Sequence, residues 1–117
     1  MKKIIFVDDD DGILDIAKLV FERDGYQITL MSNGETLLQN AFELPDVFIL
    51  DKQLPGMDGL DICRTLKNRE STKDIPVIML SANPDIRELA RNAGADEVME
   101  KPFTLQALRD AVARHTA

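Results

Sequence analysis

Three four-residue apolar blocks stand out along the chain: Ile4-Ile5-Phe6-Val7, Val47-Phe48-Ile49-Leu50 and Val77-Ile78-Met79-Leu80. Each is bounded by charged or turn-forming residues, and unbroken runs of this length predict strands buried on both faces. Gln27-Ile28-Thr29-Leu30-Met31 and Glu97-Val98-Met99 mix polar with apolar residues and predict strands at the edges of the same sheet. The pattern between the strands changes to a helical period. Ile13, Ile16, Ala17 and Val20 fall on one helical face, as do Ile86, Leu89, Ala90 and Ala93, and as do Leu105, Leu108 and Val112.

Local punctuation supports these elements. Ser32-Asn33-Gly34-Glu35 has capping-box spacing, Asn83-Pro84 places a cap before a proline at the first helical position, and Gly94 follows Ala93 as a helix stop. Asp10 or Asp11 can cap the first helix, Asp58 the third and Thr104 the last. Strand and helix thus alternate five times, with no repeat, low-complexity stretch or linker. Helical crossovers impose a parallel sheet covered on both sides. With the polar strands outermost, the strand order is 2-1-3-4-5: a doubly wound α/β fold in three α/β/α layers. Ligands of such sheets bind beyond the carboxyl ends of the strands where the order reverses, here between the first and third.

Length and charge sharpen this picture. At 117 residues and 13.1 kDa the chain has room for one core. Its 44% hydrophobic and 30% charged residues suit a soluble globular protein. The net charge of −7 is unevenly spread, with five bases and twelve acids in residues 1–60 against nine of each in residues 61–117. An acidic first half disfavours nucleic-acid binding and points to a use for cations. The first apolar run ends after four residues, short of the 7 to 15 or so of a secretory segment and the roughly 20 of a membrane span, so the expected location is the cytoplasm. Cys63, the only cysteine, can form no intrachain disulfide and reads as a helix core thiol; His115 reads as a frayed tail residue.

The first strand runs into Asp8-Asp9-Asp10-Asp11 and the third into Asp51, so carboxylates from neighbouring strands converge at the switch point. Two carboxylates 4 Å apart repel by about 4 kcal/mol at an effective dielectric of 20, a cost that a bound cation reverses. Oxygen ligands select a hard ion, and Mg²⁺ suits one or two carboxylates that leave room for water and phosphate oxygens. Asp8 and Asp9 adjoin the buried strand and are the candidate ligands. Ser81 and Lys101 end the fourth and fifth strands on the same side, bringing a hydroxyl and an ammonium towards Asp51. Each also has an ordinary reading, Ser81 as a strand-end cap and Lys101 as a surface residue, but three polar side chains at one edge argue for a site.

These pieces together resemble one family, the CheY-like receiver domain of two-component response regulators. The resemblance lies in Ile5-Phe6-Val7-Asp8-Asp9-Asp10, Phe48-Ile49-Leu50-Asp51, Leu54-Pro55-Gly56-Met57-Asp58-Gly59, Ile75 through Ala82, Gly94-Ala95-Asp96 and Lys101-Pro102-Phe103, in order from end to end. It implies one flavodoxin-like receiver domain over residues 1–117. Asp51 is then the phosphoacceptor and a metal ligand, Asp8 and Asp9 are the acidic pair holding Mg²⁺, and the Gln53 main-chain carbonyl completes the protein ligands. Ser81 and Lys101 bind the phosphoryl group, and Lys101-Pro102 is a cis peptide. The implied partners are a histidine kinase or histidine phosphotransfer protein upstream and a regulated protein or fused output domain downstream, with no membrane or nucleic-acid contact by this domain. Such a domain is a phosphoacceptor switch that assists its own phosphorylation and dephosphorylation, rather than an enzyme with a separate substrate.

One position departs from the family pattern. Val98 stands three residues before Lys101, where members commonly carry a Tyr or Phe that swings inward, so the expectation is a coupling from Ser81 to the face of the fourth helix, fifth strand and fifth helix that is weaker or differently built. Gln53 and Asn83 occupy the positions at which the family varies its dephosphorylation rate. Two alternatives share some of the pattern. Asp9-Asp10-Asp11-Gly12 also fits the nucleophile motif of haloacid-dehalogenase-type phosphatases, but only Asp110 follows Lys101 where that family needs a further acidic pair. A non-phosphorylated interaction domain of the same fold usually lacks one of the acidic pair, the acceptor or the lysine. A dinucleotide-binding domain lacks its G-x-G-x-x-G after the first strand.

Overall fold

In the computed structural model, which describes residues 1–117, the chain runs β1 (Lys3–Val7), α1 (Asp11–Arg23), β2 (Gln27–Met31), α2 (Glu35–Leu38), β3 (Val47–Asp51), α3 (Gly59–Lys67), β4 (Val77–Ser81), α4 (Arg87–Asn92), β5 (Glu97–Glu100) and α5 (Leu105–Thr116). The five strands form one parallel sheet in the order β2-β1-β3-β4-β5, as the apolar pattern predicts. A short hairpin, Gln53–Leu54 against Met57–Asp58, lies between β3 and α3. Pro55 and Gly56 form its turn, and Gly56 takes the positive φ of 71° that a glycine adopts without steric cost.

The pleat divides the central strands between two cores. Ile4, Phe6, Val47, Ile49, Ile78 and Leu80 face α1 and α5, where they meet Leu14, Ala17, Phe21, Leu108, Ala111 and Val112. Ile5, Val7, Phe48, Leu50, Val77 and Met79 face the other way, against Leu37 of α2, Leu60, Ile62, Cys63 and Leu66 of α3, and Ala90 of α4. Both faces of the sheet are therefore covered by helices, and its carboxyl edge is left to carry polar residues.

Several local expectations need correction. Ile16 is 54% exposed, because α1 turns Leu14, Ala17 and Phe21 inward, a face one position away from the one read in the sequence. Leu89 is 51% and Leu105 37% exposed, so α4 and α5 bury narrower stripes than their periodicity suggests. Ser32 does not cap α2; the Asn33 side chain accepts from Glu35 N at 3.0 Å, and Gly34 holds the cap position. His115 is not frayed. Helix α5 continues to Thr116, whose hydroxyl donates to the Val112 carbonyl at 2.8 Å and lies 3.1 Å from Tyr26 Oη, and His115 Nε2 sits 2.9 Å from Glu97.

The other caps form as read. Asp10 accepts from Gly12 N and Ile13 N, Asp58 from Leu60 N, Asn83 from Asp85 N and Thr104 from Ala107 N. A 3₁₀ turn, Pro84–Ile86, leads into α4, and Gly94 ends it at a φ of 96°. Cys63 is fully buried with its Sγ 3.5 Å from the Ala93 carbonyl, and burial pushes its thiol up to about 11.

Candidate functional site

The carboxyl edge of the sheet assembles its polar residues by continuing the strand ladders. Val7 pairs with Leu50 and Asp51 with Leu80, so Asp8 and Asp51 follow side by side. The Asp8 N–H bonds to the Met31 carbonyl at 3.1 Å, and the Lys101 N–H to the Ser81 carbonyl at 2.8 Å. Each main chain is thereby fixed before its side chain does any chemistry.

Asp8 is fully buried and Asp51 6% exposed, whereas Asp9 is exposed at the rim. One carboxylate oxygen from each of Asp8, Asp9 and Asp51 lies within 4.8 Å of the other two. Lys101 Nζ bridges the buried pair, donating to Asp8 Oδ2 at 3.1 Å and Asp51 Oδ2 at 3.3 Å. The remaining oxygens accept main-chain donors, Asp8 Oδ1 from Asp10 N at 3.0 Å and Asp51 Oδ1 from Gln53 N at 3.3 Å. Burial, reinforced by the charge of Asp8, holds the Asp51 carboxyl above the ordinary carboxylate range despite the pull of Lys101. Burial opposes the Lys101 charge, but its hydrogen bond to Asp8 and the charge of Asp51 outweigh that and hold the ammonium above the usual lysine range.

A cleft of about 380 Å³ opens over these groups. Ser81, Asn83 and Lys101 line it with Asp9 and Asp51, while Lys52 and Gln53 form another part of the wall. Ser81 Oγ accepts from Asn83 N at 3.0 Å at the strand end, and Ser81 also lines the cleft. Lys101-Pro102 is cis. Val98 is half-buried against the α3–α4 core, and Arg87 of α4 pairs with Glu100 of β5 at 3.2 Å across that face.

Sequence reasoning passed over Lys52, which lines the cleft and pairs with Asp58 at 3.1 Å. Its signal was available: a lysine immediately after a buried strand, at the edge where ligands bind. The role of Gly59 was also hidden. A Cβ there would lie 2.1 Å from the Asp51 carbonyl oxygen and 2.9 Å from Lys52 Cα. Gly59 thus permits the close approach of α3 to the acceptor strand, and its N–H donates to the Lys52 carbonyl at 2.7 Å. Gly59→Ala is expected to destabilise the domain by about 1–3 kcal/mol through backbone displacement, measured as a lower urea midpoint; an unchanged midpoint would show that the contact relaxes freely.

The donor set suits a hard divalent cation: three carboxylates from two neighbouring strands, with no sulfur or imidazole among them. Lys101 supplies a positive charge to two of the three, leaving room for more beside Asp9.

Residues 4–113 match the family described as the response regulator receiver domain. The chain is 44% identical over 103 residues to the transcriptional regulatory protein CseB of Streptomyces coelicolor, covering 86% of this chain but 43% of that protein. It is 37% identical over 106 residues to the alkaline phosphatase synthesis regulator PhoP of Bacillus subtilis, covering 88% of this chain and again 43% of the other. The chain therefore spans less than half the length of these curated relatives. Among solved structures, it is similar to response regulator TrrA of Thermotoga maritima in complex with Mg²⁺-BeF, at 33% identity and a TM-score of 0.84, covering 98% of this chain and 99% of that one. It also resembles the receiver domain of a Pseudomonas aeruginosa sensor histidine kinase with magnesium in its active-site cleft, at 26% identity and a TM-score of 0.87, covering 98% and 97%.

Proposed function

The chain belongs to the response regulator receiver domain family, and on that premise we propose that residues 1–117 form one receiver domain that accepts a phosphoryl group on Asp51 beside a bound Mg²⁺. The observation that carries this reading is the convergence of Asp8, Asp9 and Asp51 within 4.8 Å, with Lys101 bridging the buried pair.

Asp8, Asp9 and Asp51 are the residues that would hold the ion, with the Gln53 main-chain carbonyl as a further ligand. When bound, Mg²⁺ supplies positive charge to the carboxylates and to the phosphoryl oxygens. The chain's own groups do the rest. A carboxylate oxygen of Asp51 attacks phosphorus while the donor's P–N or P–O bond breaks, releasing imidazole or a carboxylate and leaving an acyl phosphate on Asp51. Lys101 compensates charge on the transferred group. The Ser81 hydroxyl, which donates to the Asn83 carbonyl at 3.4 Å, turns that bond to a phosphoryl oxygen, which links the chemistry to the turn that begins α4. Gln53 and Asn83 border the route by which water reaches the acyl phosphate.

The upstream partner in this reading is a histidine kinase or histidine phosphotransfer protein, and the downstream one a regulated protein or output domain. The place of action is the cytoplasm; no helix is long and apolar enough to cross a membrane. Acetyl phosphate with Mg²⁺, followed by proteolysis and mass spectrometry, should locate the label on Asp51. A label on Asp9 would instead support the phosphatase alternative. Mg²⁺ should also raise the melting temperature, by several degrees at tenfold excess over Kd, where binding contributes about 1.4 kcal/mol. A melting curve indifferent to millimolar Mg²⁺ would count against Asp8 and Asp9 as ligands.

A further inference from the structure

Two ammonium groups belong to residues lining the cleft over Asp51, and the mechanism above uses only Lys101. The other, Lys52, has an unusual combination of constraints. Its main chain is fixed on both sides, its N–H donating to the Leu80 carbonyl at 2.8 Å and its carbonyl accepting from Gly59 N at 2.7 Å. Its side chain is about one quarter exposed, and Nζ rests on Asp58 Oδ2 at 3.1 Å. The other oxygen of Asp58 accepts from Leu60 N at 2.9 Å as the α3 cap. Asp58 is therefore held by the helix whether or not Lys52 stays with it. The lysine is anchored at its root, tethered at its tip by one ion pair, and free to exchange that partner without uncapping α3.

The charge balance supplies a reason for it to do so. Asp9 and Asp51 line the cleft and Asp8 lies buried beside them, with Lys101 as countercharge to the buried pair, so an anionic donor approaches a site whose fixed charge is net negative. A divalent ion corrects the balance for the resting carboxylates, but a phosphoryl group adds about two further negative charges. We propose that Lys52 is a donor-binding residue: its ammonium moves from Asp58 to the anionic oxygens of a small acyl-phosphate donor and raises capture of such donors by Asp51. This rests on Asp51 being the phosphoacceptor.

The test is the second-order rate constant for labelling by acetyl phosphate at saturating Mg²⁺, followed by intact mass at several ionic strengths. Lys52→Met keeps the length of the side chain and removes its charge; it should lower the rate constant roughly fivefold at low salt and flatten its salt dependence. Lys52→Arg should restore both. Asp58→Asn keeps a capping oxygen but releases the lysine, and should label at least as fast as the wild type. Peptide mapping on the same samples separates the two readings. Label on Asp51 with an unchanged rate and salt slope in Lys52→Met overturns the role of Lys52 alone, as does a loss that Lys52→Arg fails to rescue. A wild-type protein that takes no label on Asp51 overturns both.

Discussion

Asp51→Asn is expected to abolish phosphoryl labelling while making the domain more stable. The amide retains the shape of the side chain but is not a nucleophile, and mass spectrometry after acetyl phosphate treatment should find no stable label. The gain in stability follows from electrostatics. Burial and the neighbouring Asp8 hold the Asp51 carboxyl above its ordinary value of 3.8, so the folded domain binds a proton there more tightly than the unfolded chain does. The stability contributed by that proton is complete below 3.8 and is lost as pH rises through the folded value. At neutral pH the ionised residue therefore costs stability that Asn does not. Without divalent ions the variant should melt higher, by roughly 4–8 °C for each kcal/mol relieved. The difference should narrow on acidification and also on adding Mg²⁺, which favours the wild type. Undiminished labelling would remove Asp51 as the acceptor, and a lower melting temperature would contradict the charge argument.

Lys101→Ala should have the largest destabilising effect of any change in the site. Its ammonium is the donor shared by Asp8 and Asp51, whose side chains are 0% and 8% exposed. Removing one partner of a buried ionic cluster typically costs 3–5 kcal/mol, because the charges left behind stay desolvated. Chemical denaturation in EDTA should show a loss of about this size, and millimolar Mg²⁺ should recover part of it by supplying charge to the same oxygens. Phosphorylation should slow by a factor on the order of 10²–10³, the usual result of losing a preorganised charge-stabilising donor. The alkaline limb gives a separate check. Since Lys101 is held above 10.5, its contribution persists through neutral pH and is lost as pH rises through the folded value, so the variant should lack that part of the wild-type stability decline. A variant as stable as the wild type without metal would show that the Lys101 bridge carries little of the fold's stability.

The sheet was legible in the sequence because burial on both faces leaves four consecutive apolar residues in each of the three inner strands, and the flanking charged and turn-forming residues keep those runs too short for helices. The mixed segments at Gln27 and Glu97 marked the edges for the complementary reason. Helical faces were less legible. Ile16 and Leu89 share the period of the buried residues but lie outside the stripe, and periodicity alone does not reveal how wide a stripe the sheet can cover. The site's acidic residues were visible as strand-end carboxylates, and the family pattern gathered Asp8, Asp9, Asp51, Ser81 and Lys101 around one point. Its supporting contacts were not. The need for a missing Cβ at Gly59 shows only against the Asp51 carbonyl, and His115 reads as a loose tail residue although Thr116, Tyr26 and Glu97 hold the end of α5. Such contacts join residues far apart in the chain, and no local pattern encodes them.

The close packing at Gly59 also determines where motion can go. With α3 seated against the backbone of Asp51 and Lys52, there is no slack on that side of the acceptor. Helix α3 is the closely packed side of the site. The opposite wall is built differently: Ser81 contacts Asn83 through two hydrogen bonds, accepting from its N–H and donating to its carbonyl, the chain enters α4 through a 3₁₀ turn, and α4 itself is six residues long with Leu89 half exposed. Arg87 joins this short helix to β5 through Glu100, one residue before Lys101. With Val98 where an aromatic ring is common, displacement at Asp51 is expected to pass through the Ser81–Asn83 contacts into α4.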